Sequence, residues 1–197
     1  VSAQATPDSK SESPSIPAQQ SAAPTPEVEA LIQSLEGGKS GEQIAAAEKL
    51  AGMGTKATPA IPYLVQMLRY QGLESIRIGG RMIAAFDLSA DAAATALARL
   101  GQPAIEPLQK NLIRPDPPEK AVYWTSVALA RMKDPAAMQT LLATVNDAAF
   151  SARADVAGAL QYSDDPAALE VLLALVQEPA AAVRAGALEG LQTKTDP

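Results

Sequence analysis

Histidine and cysteine are both absent from the 197 residues. Without them the chain has no thiol nucleophile, disulfide, Ser-His-Asp triad, structural zinc site or imidazole-held metal. Aromatic residues are only 4% of the chain. Its interior must therefore be filled by small aliphatic side chains, which allow helices to approach closely. Basic residues are outnumbered, 16 against 22 acidic, for a formal charge of −6. Neutralising phosphates requires the opposite balance, so no nucleic-acid partner is expected and anionic membranes are disfavoured. No apolar run approaches the roughly 18 residues that cross a bilayer, so membrane insertion is not expected either.

What is present is enough for one domain with a sizeable core: 47% of residues are hydrophobic, and alanine is dense from Ala45 to Ala187. Residues 1–26 stand apart. Ending in Ser21-Ala22-Ala23-Pro24-Thr25-Pro26, they are rich in Ser, Pro, Gln and Ala without apolar period, and read as a disordered leader or tether. The chain opens on Val1, which suggests that something upstream was removed or never included. Ala3-Gln4-Ala5 has the small-residue spacing of a secretory cleavage region. Two readings follow: an exported or periplasmic protein, or a cytoplasmic one whose leader is simply Ala-rich.

From Glu27 onward apolar residues recur at three- and four-residue spacing, and the second half repeats every 31 residues. Leu129, Leu160 and Leu191 share one phase, as do Asp134, Asp165 and Asp196, and Pro135, Pro166 and Pro197. Met138, Leu141, Leu142 and Val145 correspond to Leu169, Leu172, Leu173 and Val176, and Arg153 to Arg184. Each unit reads as two helices. An Ala-rich first helix, such as Ser151 to Gln161, meets a polar turn, and Asp-Pro opens a second helix, such as Pro166 to Gln177. Asp165 can cap free N–H groups, and Pro166 sits where its missing donor costs nothing. Leu169, Leu172, Leu173 and Val176 form the expected buried stripe.

Earlier units follow the same logic. Ala45 to Leu68 echoes Ala93 to Leu112, with Gly54 and Gly101 ending one helix and Pro-Ala-Ile opening the next. Pro26 to Leu35 reads as a second helix without its first. The expectation is an all-α solenoid of four helix pairs, with one extra helix in front and one behind. Pro197 falls where Pro135 and Pro166 open second helices, so the last pair is expected to be cut, unless Ala180 to Gln192 is a terminal cap with Arg184 and Glu189 outward.

Residues Glu178 to Pro197, with their Pro…Val-Arg…Ala…Leu…Asp-Pro run, resemble the short HEAT-like repeats found in phycobilisome lyase subunits and bacterial scaffold proteins. The resemblance extends over Glu27 to Pro197 and implies a right-handed α-solenoid of four to five helix pairs, residues 27–197, whose second helices line the concave surface. It says little about activity, because the repeat is a packing unit put to many uses. HEAT-like enzymes that hold iron through His-Glu pairs are excluded by the absence of histidine.

Two surfaces are candidates for binding. The first is an insertion at about residues 71–89, evident because Ile61 and Ile105 lie 44 residues apart. Arg69, Tyr70, Arg77, Arg81 and Phe86 gather there around Gly79-Gly80, which interrupts either a kinked helix or a short hairpin. It is either a longer connection with solvated arginines or a site for an acidic peptide or anionic group. The second is the row of second helices, whose non-core positions are Gln66 and Arg69, Gln109 and Lys110, Gln139 and Ala143, then Glu170, Val171 and Ala174. That mixed strip suits a peptide or helix of a partner; Val171 and Leu175 are expected to pack against a continuing repeat.

Other features have structural readings. Trp124 is expected to face inward and Tyr123 outward, Arg114 to Glu119 to be a stiff spacer, and Asp164-Asp165 a helix start. Gly37-Gly38-Lys39-Ser40-Gly41 lacks the spacing and preceding strand of a phosphate loop, and is a turn. The reading that follows is a non-catalytic scaffold for another protein or peptide, without cofactor or metal, and with end-to-end self-association as an added possibility. The alternative implied by the resemblance is a lyase-type or chaperone-like subunit, working with a partner chain to attach pigment to a phycobiliprotein. Nucleic-acid recognition or repair ranks last on charge.

Overall fold

The computed structural model describes residues 23–69, 75–78, 81–84, 88–115, 117 and 120–194. The leader up to residue 22, Tyr70 and Phe86 therefore lie outside the described residues, as do Gly79, Gly80 and part of the 114–119 spacer. Ten α-helices are described: α1 (Pro26–Gly37), α2 (Ser40–Gly52), α3 (Ile61–Met67), α4 (Leu88–Leu100), α5 (Ile105–Leu112), α6 (Ala121–Arg131), α7 (Pro135–Asn146), α8 (Arg153–Ala159), α9 (Pro166–Leu175) and α10 (Ala181–Gln192). The insertion contains β1 (Ser75–Ile78) and β2 (Arg81–Ala84), paired antiparallel with Ile76 opposite Ile83 and Arg77 opposite Met82. Of the two readings of the insertion, the hairpin is the one the backbone adopts.

The helices form two layers. First helices α2, α4, α6, α8 and α10 stack side by side, and second helices α1, α3, α5 and α7 form a parallel row, each lying on the first helix of the next unit; α9 lies likewise on α10. Among the described residues this is an all-α solenoid of four helix pairs, with one second helix ahead of them and one first helix after them. Alanine makes the first layer possible. Gly186 and Gly190 of α10 lie against the backbone carbonyls of Ala154 and Ala157 on α8, and a methyl group on Gly190 would stand 2.6 Å from the Ala157 oxygen. Helices meeting backbone to backbone leave no room for larger side chains.

Local chemistry sets the helix ends. Asp134 accepts from Ala136 N–H at 2.8 Å and Asp165 from Ala167 N–H at 2.9 Å, each followed by proline at the first helical position. Thr25 caps α1 ahead of Pro26, so residues placed in the leader on composition serve the first helix. After α2 and α4 the chain turns through Gly54 (φ +57°) and Gly101 (φ +68°); after α6 the same left-handed position is taken by Lys133 (φ +52°).

Two expectations are corrected. The first helix drawn over 151–161 starts later, at Arg153, and passes at Leu160 into a 3₁₀ turn ending at Tyr162, while α9 stops at Leu175. The buried stripe of α9 is Ala168, Leu172 and Leu175, not Leu169, Leu172, Leu173 and Val176. Leu175, expected outside, is inside, while Leu169 and Leu173 are exposed. A first helix packs on one side of α9 only, and its rotation selects the i, i+4, i+7 set.

Candidate protein-binding surface

The second-helix row places the sequence-derived candidates as follows. Gln66 on α3, Lys110 on α5, Gln139 on α7 and Glu170 on α9 are exposed. Lys110 pairs with Glu106 one turn earlier at 2.7 Å, which holds the Glu106 carboxyl below its ordinary range. Gln109 is half-buried, and its amide N–H donates to Thr140 Oγ1 at 2.8 Å, tying α5 to α7. The strip is thus a mixed, amide-bearing surface across four successive second helices.

Arg69 has an internal role in addition. Its Nε and Nη2 both donate to Asn111 Oδ1, at 2.8 and 2.7 Å. Asn111, buried at the end of α5, donates to Thr125 Oγ1 at 2.7 Å, and Thr125 donates to the Ala121 carbonyl at 2.6 Å. This chain runs from α3 through α5 into α6. Burial, and then the nearby Arg114 charge, lower the Arg69 pKa. Arg77 and Arg81 are carried on facing strands, with Ile78 opposite Arg81.

A second cluster, on the first-helix layer, went unnoticed in the sequence. Arg131 of α6 pairs with Asp91 of α4 at 2.8 Å, donates to Thr95 Oγ1 at 2.8 Å, and lies over the Tyr162 ring at 4.5 Å from its centroid. Tyr162 is hydrogen-bonded to Tyr123, whose hydroxyl is pushed well above the usual tyrosine range by burial first, that hydrogen bond second. Tyr123 packs edge-on against buried Trp124, with ring centroids 5.3 Å apart. Trp124 does face inward. Only the 31-residue phase, which sets Tyr162 beside the Arg131 turn one unit on, hinted at this convergence.

Between the turns of the last two pairs lies a cleft of about 250 Å³ lined by Leu129, Lys133, Met138, Ser163 and Asp164 among others. Lys133 and Asp164 close over it at 2.8 Å, each shifting the other's pKa toward the charged form. Its carboxylates Asp134 and Asp165 are spent on capping, as the sequence indicated.

A family model described as HEAT repeats matches residues 112–192, and one described as PBS lyase HEAT-like repeat matches residues 90–114. No curated protein gives a significant match to the chain.

Proposed function

Residues 90–192 place this chain in the HEAT-like repeat family, and on that footing we propose that it is a non-catalytic scaffold that binds another protein or peptide along its second-helix row. HEAT repeats generally mediate protein–protein interaction. The observation that supports the placement is the strip of Gln66, Lys110, Gln139 and Glu170, exposed on four successive second helices, with α5 and α7 tied by the Gln109–Thr140 bond. Primary amides both donate and accept, which suits the main chain of a bound peptide. Photo-crosslinking residues at positions 66, 139 and 170 test the reading, with the exposed first-helix position 48 as control. Partner crosslinks confined to the second-helix positions are expected; equal labelling at position 48 would refute the placement.

The match of residues 90–114 to the PBS lyase HEAT-like repeat favours a second reading, a chaperone-like subunit in pigment attachment. Co-expression with a phycobiliprotein and its pigment tests it, and unchanged pigment loading would dispose of it. Export is also proposed, on the Ala3-Gln4-Ala5 spacing; recovery of the full-length gene product only from cytoplasm would reverse that.

A further inference from the structure

Arg69 is held in place by more polar structure than a surface cation needs. Its Nε and Nη2 both rest on Asn111 Oδ1, and behind Asn111 stand the buried Thr125 and the Ala121 carbonyl. Buried polar chains cost desolvation and are sound only when every member is satisfied. This one ends outward, on a half-buried guanidinium whose Nη1 has no acceptor among the described residues. What the chain fixes is the position of one charge at the surface, as buried supports orient a binding group.

The neighbouring charge has the same sign. Arg114, exposed just past the end of α5, stands near enough to repel Arg69, adding to the cost of its burial. Among the described residues no carboxylate pairs with either arginine, whereas Lys110, Arg131, Lys133 and Arg153 each have one. The first turn of α6, which Asn111 reaches through Thr125, has no side-chain cap and no acidic residue. Its free N–H groups add positive potential to the same corner. Ile113, 70% exposed directly before Arg114, sets apolar surface beside the charges. Arg69 follows Gln66, and Arg114 follows Lys110, by about one helical turn, so the corner lies at the end of the second-helix strip.

We propose that this corner anchors the bound peptide: an Asp or Glu side chain of the partner lies between Arg69 and Arg114, with an adjacent aliphatic residue on Ile113. Two guanidiniums beside an uncapped helix start are complementary to a carboxylate, which would offset their mutual repulsion. The inference rests on the peptide lying along the strip, and it adds the chemistry by which the partner is recognised.

The probe is a random peptide library displayed on phage and panned on the whole protein. Each peptide is fused to the coat protein through its C-terminus, so that side chains supply its only carboxylates. Selected peptides should be enriched in Asp or Glu next to Leu, Ile or Val. In fluorescence anisotropy Arg114→Glu should weaken a selected synthetic peptide at least about tenfold, and Arg114→Lys should restore part of the loss. Arg114 is exposed, and unchanged circular dichroism would establish that both variants fold. No selected peptide, no acidic enrichment, or binding indifferent to Arg114→Glu overturns the proposal. So does tighter binding in Asp116→Asn/Glu119→Gln, which would make carboxylates of the chain's own spacer the occupants. Displacement of the peptide by inorganic phosphate far more readily than by acetate overturns it too, assigning the corner to a phosphate-bearing ligand. A photo-crosslinking residue at position 66 separates the anchor from the strip. Acid-free peptides that crosslink there leave the strip standing and sink the anchor, whereas acidic peptides that need Arg114 but never crosslink there support the anchor and move the peptide off the strip.

Discussion

Arg69 donates two hydrogen bonds to one oxygen of Asn111, although 42 residues separate them. The contact joins the end of α3, where the hairpin insertion departs, to the end of α5. Asn111 is buried, and its other amide group reaches Thr125. Asn111→Ala leaves a guanidinium and a hydroxyl without this partner and should cost about 2–3 kcal/mol. Urea denaturation would register it as a lower midpoint at unchanged slope. An unmoved midpoint would mean that Arg69 and Thr125 find water readily and that the chain of bonds holds nothing together.

Arg153 is buried between the last two units, donating from Nε to the Val145 carbonyl at 2.7 Å and from Nη2 to Glu178 at 2.9 Å. Glu178 is partly exposed, which limits the loss when the pair is broken. Arg153→Ala is expected to cost about 2–3 kcal/mol. Arg153→Lys should recover only part of this, because an ammonium cannot reproduce the planar two-pronged reach. Thermal melts of both variants decide it; an Arg153→Lys variant that melts with the unmodified protein would contradict the geometric role.

Two helical glycines in the first layer should respond oppositely to alanine. At Gly186 the added methyl meets the Ala154 backbone, which cannot swing aside, so Gly186→Ala should destabilise by about 2 kcal/mol or more. At Gly158 the nearest atom is Glu189 Oε2 at 3.3 Å, the end of a flexible exposed side chain. Gly158→Ala should therefore be neutral to stabilising, by up to about 1 kcal/mol, through better helix propensity. Calorimetry on the two variants would show opposite shifts in melting temperature; a shared sign would refute the close-approach account.

Tyr123 makes stability depend on alkaline pH. Its hydroxyl ionises above the ordinary value of 10.0 in the folded state, because burial and the hydrogen bond to Tyr162 favour the neutral form. Between the unfolded and folded values the unfolded chain has lost the proton and the folded chain keeps it, so stability falls as pH rises. Full stability is thus expected below about pH 10, with a progressive loss above it. Tyr123→Phe should flatten that decline, measured by denaturation between pH 9 and 11, and an unaltered slope would remove Tyr123 as its source.

Much of this architecture could be read along the chain because it rests on near neighbours. Asp134 and Asp165 cap the helices that follow them, proline stands at the first helical position, and Gly54 and Gly101 supply left-handed turns after first helices. Each of these contacts spans a few residues, so the local pattern carries it. The 31-residue phase adds the order of the units.

What needed three dimensions was the rotation of each helix about its axis and the side chains that meet across units. Leu175 is buried and Leu173 exposed, although both are leucines on the same amphipathic segment, because only the position of α10 determines which side is closed. Arg69 was legible as a cation and not as the partner of Asn111; Tyr162 was one polar-tipped residue among several until Arg131 and Tyr123 converged on it. Periodicity specifies that a helix has an inner face. Which residues share a contact across 30 to 40 positions depends on the angle at which neighbouring helices settle, set by the packing of all their small side chains together.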